Sequence, residues 1–404
     1  MTPLDLGCLL SRKGINRRNF AVVDEVQRCL LRISNRDHTA NIMSEAITPS
    51  VPGIEGINLD EARALLDVEG GELEALLERA RATRENYKGN EIRFCGITNA
   101  KSGKCAESCA FCSQSAHFDT EAPEYPLKKA ETIVEEAIQA DKEGAGEFSI
   151  VVSGTRLQKE EELREVESAL RGIREQTSMM SCASLGLMGK NDLERLRDAG
   201  LQAFHHNLET ARSFHPEIVK THSYDEEVDA IKHAKSLGLH VCCGGIFGMG
   251  ESKEQRIEFL QELRELDVDS IPLNFLNPQP GTPLEGTWDL TPEDCLKIIA
   301  VARLMMPRQE IFVCGGREVQ LKDQQHRMFD AGANGTMVGN YLTTPGRGTV
   351  KDKEMLEELG LKAVGITQSD EAPEHVKKIA KTAPMAADEH AAKYHKDKSR
   401  LRVL

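Results

Sequence analysis

Residues 104–112, KCAESCAFC, set Cys105, Cys109 and Cys112 at spacings of four and three. Thiolates so closely spaced suit a single metal centre. A cubane iron–sulfur cluster has four irons and ordinarily four cysteine ligands. A loop that supplies three therefore either borrows a fourth ligand from elsewhere or leaves one iron open to an exogenous molecule. Two closed alternatives use the same residues: a zinc site completed by a distant Cys or His, and an electron-transfer cluster with a remote fourth cysteine. The spacing admits all three. The open-cornered cluster is preferred, because it can hold a reactive ligand and also pass it an electron.

More thiols follow. Cys182, Cys242 and Cys314 fall in three separate strand-like segments, SMMSCASLG, LHVCCGGIFG and EIFVCGG. Buried structural cysteine is common. Three on different strands, in addition to three in the loop, point instead to a second metal site. Cys243 neighbours Cys242 and should face the other side of its strand. Cys295, in TPEDCLKIIAVARLMM, reads as a small apolar helix residue, and Cys8 and Cys29 lie in an N-terminal stretch without pattern. Eleven cysteines clustered this way in a long chain, with no secretory start in view, favour metal or redox chemistry over a disulfide framework. The expected setting is reducing and cytoplasmic.

The elements that position these residues alternate along the chain. Strand candidates are 91–98, 147–154, 178–186, 201–209, 239–248, 270–277, 310–316 and 334–342. Amphipathic helices are predicted at 129–143, 159–175, 191–199, 224–237, 252–266, 292–306 and 318–330. Eight strands with intervening helices make an α/β fold of the TIM type, a (β/α)8 barrel, with an open doubly wound sheet as the alternative. Barrel active sites sit at the C-terminal ends of the strands, and KCAESCAFC follows the first of them. Residues 58–88 read as two helices broken at Gly70-Gly71, with Asn58 as N-cap. Three regions are expected: an N-terminal extension over 1–50, the barrel with its N-terminal helices over 51–365, and a charged C-terminal tail over 366–404. Met43 begins more ordinary sequence, so residues 1–42 are expected to be dispensable. The formal charge of −14 with no long basic run argues against nucleic acid and anionic membranes as partners. No apolar run approaches the roughly 18 residues of a membrane span.

The loop itself, Cys105-x3-Cys109-Ala110-Phe111-Cys112, resembles the signature of radical S-adenosylmethionine (SAM) enzymes. That resemblance implies a 4Fe-4S cluster held by three cysteines, whose open iron binds the amino and carboxylate groups of SAM. It also implies reductive cleavage of SAM to methionine and a 5′-deoxyadenosyl radical, with adenine near Phe111. GGIFGMGE (244–251) resembles a SAM-contacting turn, which makes Gly244 and Gly245 candidates for cofactor binding. Asn207 and Glu209 in HHNLET join them, because residues two apart on an extended chain share a face.

The likeness extends further. NAKSGKCAESCAFCSQS, HHNLETARSF, THSYDEE, VCCGGIFGMGE, IPLNFLNPQPGTPL, IAVARLMMP, GGRE and AGANGTMVGNYLTT resemble the biotin synthases over about residues 55–365. The resemblance implies sulfur insertion into dethiobiotin by two SAM-derived radicals, with sulfur from an auxiliary iron–sulfur cluster deep in the barrel. It further implies a flavodoxin or ferredoxin as electron donor, a homodimer, and Asn274 on the substrate. An amide with both donors and an acceptor suits a ureido ring.

The auxiliary site departs from the family pattern. That pattern is a two-iron cluster on three cysteines and one arginine. Two of those cysteines match Cys182 and Cys242, the third falls on Ser149, and the arginine falls on Phe312. Cys314 lies two residues beyond Phe312, on the same face of an extended strand. The set Cys182, Cys242 and Cys314 is therefore expected to hold the auxiliary cluster, either 2Fe-2S or a variant four-iron form, with Ser149 as an added ligand or a packing residue. Glu227 stands where the family usually carries an arginine near SAM. Gly315 and Gly316 are expected to leave room near the cluster, and Arg317 to form a structural ion pair. The other readings are a related radical SAM barrel, like the iron-only hydrogenase maturase or methylornithine synthase, and a non-catalytic iron–sulfur protein.

Overall fold

The computed structural model describes residues 56–364. The expected extension with Cys8 and Cys29, the dispensable stretch 1–42 and the tail 366–404 lie outside the described residues. Two helices come first, α1 (Leu59–Leu65) and α2 (Gly71–Lys88). They part at Gly70-Gly71 as the sequence indicates. Asn58 caps α1, its Oδ1 accepting from the Glu61 amide at 2.9 Å.

Eight parallel staves then close into a barrel. They are β1 (Glu91–Lys101), β2 (Glu147–Val152), β3 (Met180–Ser184), β4 (Ala203–His205), a fifth stave broken into β5 (His240–Cys242) and β6 (Gly245–Phe247), then β7 (Ser270–Phe275), β8 (Glu310–Val313) and β9 (Gly335–Met337). Each stave pairs with the next, and β9 pairs back onto β1. A short β10 (Lys362–Val364) adds to the start of β1. The outward face of the strands is apolar, with Phe94, Ile150, Phe204, Val241, Ile271 and Ile311 buried under the helices. The doubly wound alternative is excluded by closure.

The wrapping helices are α3 (Ala130–Lys142), α4 (Glu160–Gln176), α5 (Lys190–Asp198), the four-residue α6 (His215–Ile218), α7 (Tyr224–Ser236), α8 (Lys253–Glu265) and α9 (Pro292–Met305). Reciprocal capping boxes start α7 at Ser223–Glu226, α8 at Ser252–Gln255 and α9 at Thr291–Asp294. Cys295 is buried on α9, as its pattern indicates. The expected helix at 318–330 is not continuous. A four-residue α10 (Arg317–Gln320) gives way to a 3-10 turn over Lys322–Met328, because Lys322 adopts a left-handed φ of 53° that stops the α-helix. Helix α11 (Thr349–Glu358), which the sequence pattern left unassigned, precedes β10.

A charged floor seals the N-terminal end of the barrel. Lys88 on α2 meets Glu310 Oε1 at 2.7 Å, and Arg93 and Asn334 also bond to this carboxylate. Fully buried Arg303 supports Asn334, donating to its Oδ1 at 2.7 Å and to the carbonyls of Gly332, Pro307 and Gln309. Burial alone would raise the Glu310 carboxyl. The charges of Arg93 and Lys88, with hydrogen bonds from Lys88 and Asn334, outweigh it and hold the group well below the usual range. A depressed carboxylate adds stability that is present above its unfolded value and lost as pH falls through its folded one. Glu310→Gln, which leaves two cations underneath the barrel without their counter-charge, should cost about 3–5 kcal/mol in urea unfolding at neutral pH. The gap from the parent should narrow as the pH is lowered. An unchanged midpoint at neutral pH would show that the floor is not a stabilising element.

Candidate functional site

The loop after β1 carries the three cysteines. Its shape is set by backbone bonds: the Cys105 amide to Gln114 O at 3.0 Å, Ala116 N to Cys105 O at 2.8 Å, and Cys112 N to Cys109 O at 2.9 Å. A second segment holds the loop from behind. Ala110 N donates to Ile218 O at 2.9 Å, Ser108 N to Thr221 Oγ1 at 3.0 Å, and Lys220 N to Ser108 Oγ at 3.1 Å. The apolar side of the loop, Ala110 with Cys109 and Phe111 against it, packs on Ile218, Val219, Met249 and Leu276.

Behind the loop lies a buried charge relay. His222 sits between two carboxylates, Nδ1 at 2.6 Å from Glu107 and Nε2 at 2.9 Å from Glu227. Thr155 and Thr221 also donate to Glu107. Burial would lower the His222 imidazole, but hydrogen bonds and charge from Glu227 and Glu107 raise it to about 9. The ring is therefore a cation at neutral pH. The sequence shows a carboxylate, Glu227, where the resemblance leads one to expect arginine. That carboxylate pairs with His222 at 2.9 Å behind the loop.

A cavity of about 300 Å³ opens over the C-terminal ends of the strands. Phe111 and Cys112 of the loop line it, with Asn207, Glu209, Asn274, Cys314 and Gly315. The predicted cofactor and substrate residues thus meet at one chamber, except for Gly244 and Gly245. Those two interrupt the fifth stave, and their close approaches are to protein backbone. A β-carbon on Gly244 would strike the Pro272 carbonyl, and one on Gly245 the carbonyl of Glu209. Ile246 faces the cavity in their place. Gly316 also lines the cavity, with its α-carbon against the Phe275 carbonyl. Arg317 forms the expected ion pair, with buried Asp352 at 2.6 Å.

Asn207 and Glu209 reach the same wall by a route that strand periodicity does not describe. Strand β4 ends at His205, and Glu209 has a left-handed φ of 60°. Asn207 Oδ1 accepts from Gly244 N at 3.1 Å, which turns its Nδ2 towards Glu209 Oε2 at 3.3 Å. Burial, and then the charge of Glu227, push the Glu209 carboxyl up to about 8. A donor or cation brought to this wall would find a buried acceptor waiting. Asn274 is fixed by Gly315 N at 2.9 Å on its Oδ1 and by Gly245 O at 3.1 Å on its Nδ2.

The strand register gives the depth of each inward residue. Ile97 pairs with Ser149, Ser149 with Cys182, Cys182 with Ala203, and Ala203 with His240. Continued round the barrel, the pairing returns to β1 eight residues nearer its start, the shift of an eight-stranded TIM barrel. Each step therefore descends by one residue's rise. Cys182 on β3 is level with Cys95 on β1, and Cys242 on β5 shares that depth. Phe312 on β8 completes a four-residue layer from alternate strands, its ring over Gly335 where no side chain stands. Cys314 lies one layer higher, at the cavity floor with Ile97 and Ser184. Ser149 stands between the two layers, beside the Cys182 thiol. Cys243 turns outward to the helix layer near Tyr224, as alternation demands.

The sequence reading assigned nothing to Cys95. A signal was present, since Cys95 and Ile97 alternate on one strand candidate, but depth relative to other strands cannot be read from one segment. The Glu107–His222 relay was also missed, because its members lie 115 residues apart.

All of these thiols are pushed up, first by burial and then by neighbouring negative groups. Cys112 rises to about 11, and Cys182 and Cys314 to about 12. They become thiolates only against a cation. That is the donor chemistry an iron–sulfur cluster requires, and both sets fit one. No helix among the described residues is long and apolar enough to cross a membrane.

Comparison with known proteins identifies the family. Residues 99–263 match the radical SAM superfamily, and residues 272–362 match the biotin and thiamin synthesis associated domain. The biotin synthase of Anaeromyxobacter dehalogenans is 57% identical over 77% of this chain and 86% of its own. That of Geobacter sulfurreducens is 52% identical over 76% of this chain and 93% of its own. Among solved structures, a methylornithine synthase superposes with a TM-score of 0.69 at 23% identity, covering 81% of this chain and 97% of its own. The FeFe-hydrogenase maturase of Carboxydothermus hydrogenoformans gives 0.67 at 16% identity, covering 90% and 91%. At these identities the two structures share the fold.

Proposed function

The chain belongs to the biotin synthase family, and on that premise we propose how its own residues serve the conversion of dethiobiotin to biotin. It is a radical SAM sulfurtransferase that requires a 4Fe-4S cluster, SAM and a reductant. The observation that carries the residue-level reading is a single chamber lined by Phe111 and Cys112 of the three-cysteine loop and by Cys314 at its floor, with Cys182 and Cys242 facing inward one layer below.

Cys105, Cys109 and Cys112 would hold the first cluster, which when bound with SAM supplies the electron that splits SAM and yields the hydrogen-abstracting 5′-deoxyadenosyl radical. Three thiolates would leave one iron of such a cluster for SAM. Phe111 offers an apolar face at the same wall for adenine. Glu209 and Asn207 present a carboxyl and an amide for the hydroxyl and amino groups of the cofactor. Gly244 and Gly245 act one step removed: their bare α-carbons let the fifth stave close against Glu209 and Pro272, which sets the position of Asn207. The His222 cation between Glu107 and Glu227 holds the back of the loop at a fixed charge.

Cys182, Cys242 and Cys314 would hold the auxiliary cluster, whose chemistry when bound is to supply the inserted sulfur. Asn274 then positions the ureido ring above it. Both its amide ends are already oriented by backbone, so the substrate meets a pre-set rotamer. The apolar lining from Ile97, Ile246, Pro272 and Met337 excludes water from a carbon radical. We take a flavodoxin or ferredoxin as the electron source and a homodimer as the working form, both from family resemblance. The reduced thiols this chemistry needs support a cytoplasmic setting.

Reconstituted and reduced protein, given SAM and dethiobiotin without oxygen, should form biotin with one 5′-deoxyadenosine for each of the two C–H bonds broken. Deoxyadenosine without biotin would count against the substrate. Cys109→Ala should reduce deoxyadenosine to background, and undiminished release would remove the loop from SAM chemistry. Cys314→Ala should keep deoxyadenosine release while biotin disappears, whereas continued biotin formation would exclude Cys314 from the sulfur-donor site.

A further inference from the structure

We propose that Cys95 is a fourth protein ligand of the auxiliary iron–sulfur cluster, joining Cys182, Cys242 and Cys314. This rests on the reading of those three as the auxiliary set. The register places Cys95, Cys182 and Cys242 on β1, β3 and β5 at one depth, all facing the barrel axis. The inward direction of Cys95 follows from its partners. It pairs with Met337 on β9, which lines the cavity, and it lies two residues before Ile97, which does so too. Cys314 closes the set from one layer above, on the strand line that carries Phe312 below. Three donors at one level and one above them surround a compact volume, as ligands at alternate corners of a cubane do.

Two further observations agree. Cys314, Cys182 and Cys242 each stand close enough to Cys95 to act on it electrostatically. Cys95 and Cys242 are also only partly buried, although both point into the interior of a closed barrel. An inward residue at this depth normally packs against its layer. Buried Glu147 on β2 takes a hydrogen bond from the Cys95 thiol, and Phe312 fills the fourth position of the layer with its ring over Gly335.

Ser149 is the competitor for this role. It pairs with Cys182 and sits half a layer higher, but its hydroxyl is a poor ligand for iron beside a thiol. The family's third cysteine has therefore moved in this chain, from the Ser149 position on β2 to Cys95 on β1, and its arginine has given way to Cys314. Each iron of the auxiliary cluster can then be held by sulfur from the protein.

The test uses the full chain, reconstituted without oxygen with iron-57 and sulfide, and reads iron per chain and the Mössbauer spectrum after gel filtration with a chelator. Wild type should show two cluster signals. Cys95→Ala should lose or alter the auxiliary signal, with iron falling towards the roughly four per chain of the loop cluster. Cys95→Ser, which keeps the size of the side chain, should shift the signal of one or more auxiliary irons by replacing sulfur with oxygen. Both should still cleave SAM to deoxyadenosine, which confirms that the barrel and loop are intact. Ser149→Ala should leave the spectrum unchanged. Wild-type iron content and spectra in both Cys95 variants, with loss in Cys182→Ala, would overturn the role of Cys95 and keep the three-cysteine reading. No loss in Cys182→Ala either would overturn that reading itself.

Discussion

An eight-stranded barrel whose register moves eight residues in one circuit can offer, at any one depth, only every second residue of every second strand. Everything in the interior of this protein depends on that rule. It turns a scatter of cysteines on separate strands into a layer, places Phe312 as the fourth member of that layer, and lifts Cys314 to the floor of the cavity. It also sets the layers above, where Asn207 and Asn274 line the chamber on either side of the fifth stave, bonded to Gly244 and Gly245. The charged floor of Lys88, Arg93 and Glu310 keeps the lower end of this stack closed.

The second constraint is electrostatic. Crowded buried thiols and the carboxyls of Glu209 and Glu227 disfavour negative charge in the same small region. The protein offsets this with a histidinium between two carboxylates behind the loop. It leaves the thiols and Glu209 to be satisfied by what binds. The loop is therefore anchored by bonds that involve none of its cysteine side chains, through Ser108, Ala110 and Glu107.

Much of this was legible in the sequence, because the relevant signals are local. Cys105-x3-Cys109-x2-Cys112 is a spacing within one loop. Alternation within 91–98 or 270–277 marks a strand, and Asn58 and the Gly70-Gly71 break mark helix ends by local backbone chemistry. Overlong strand candidates failed at their C-terminal ends for a local reason as well. Glu209 turns left-handed, and the fifth stave breaks at Gly244, where apolar composition still looks strand-like.

By itself, then, the sequence determined the barrel count, the three-cysteine loop and the family resemblance, since each needs only composition, period or spacing along the chain. Only the tertiary structure decided which residues share a depth. That assignment brought Cys95 into the layer with Cys182 and Cys242, put His222 between Glu107 and Glu227, and set the bare α-carbons of Gly244 and Gly245 against the backbone of Pro272 and Glu209. The physical reason is that depth in a barrel and charge balance in a buried site are sums over strands far apart in sequence. No single segment carries them.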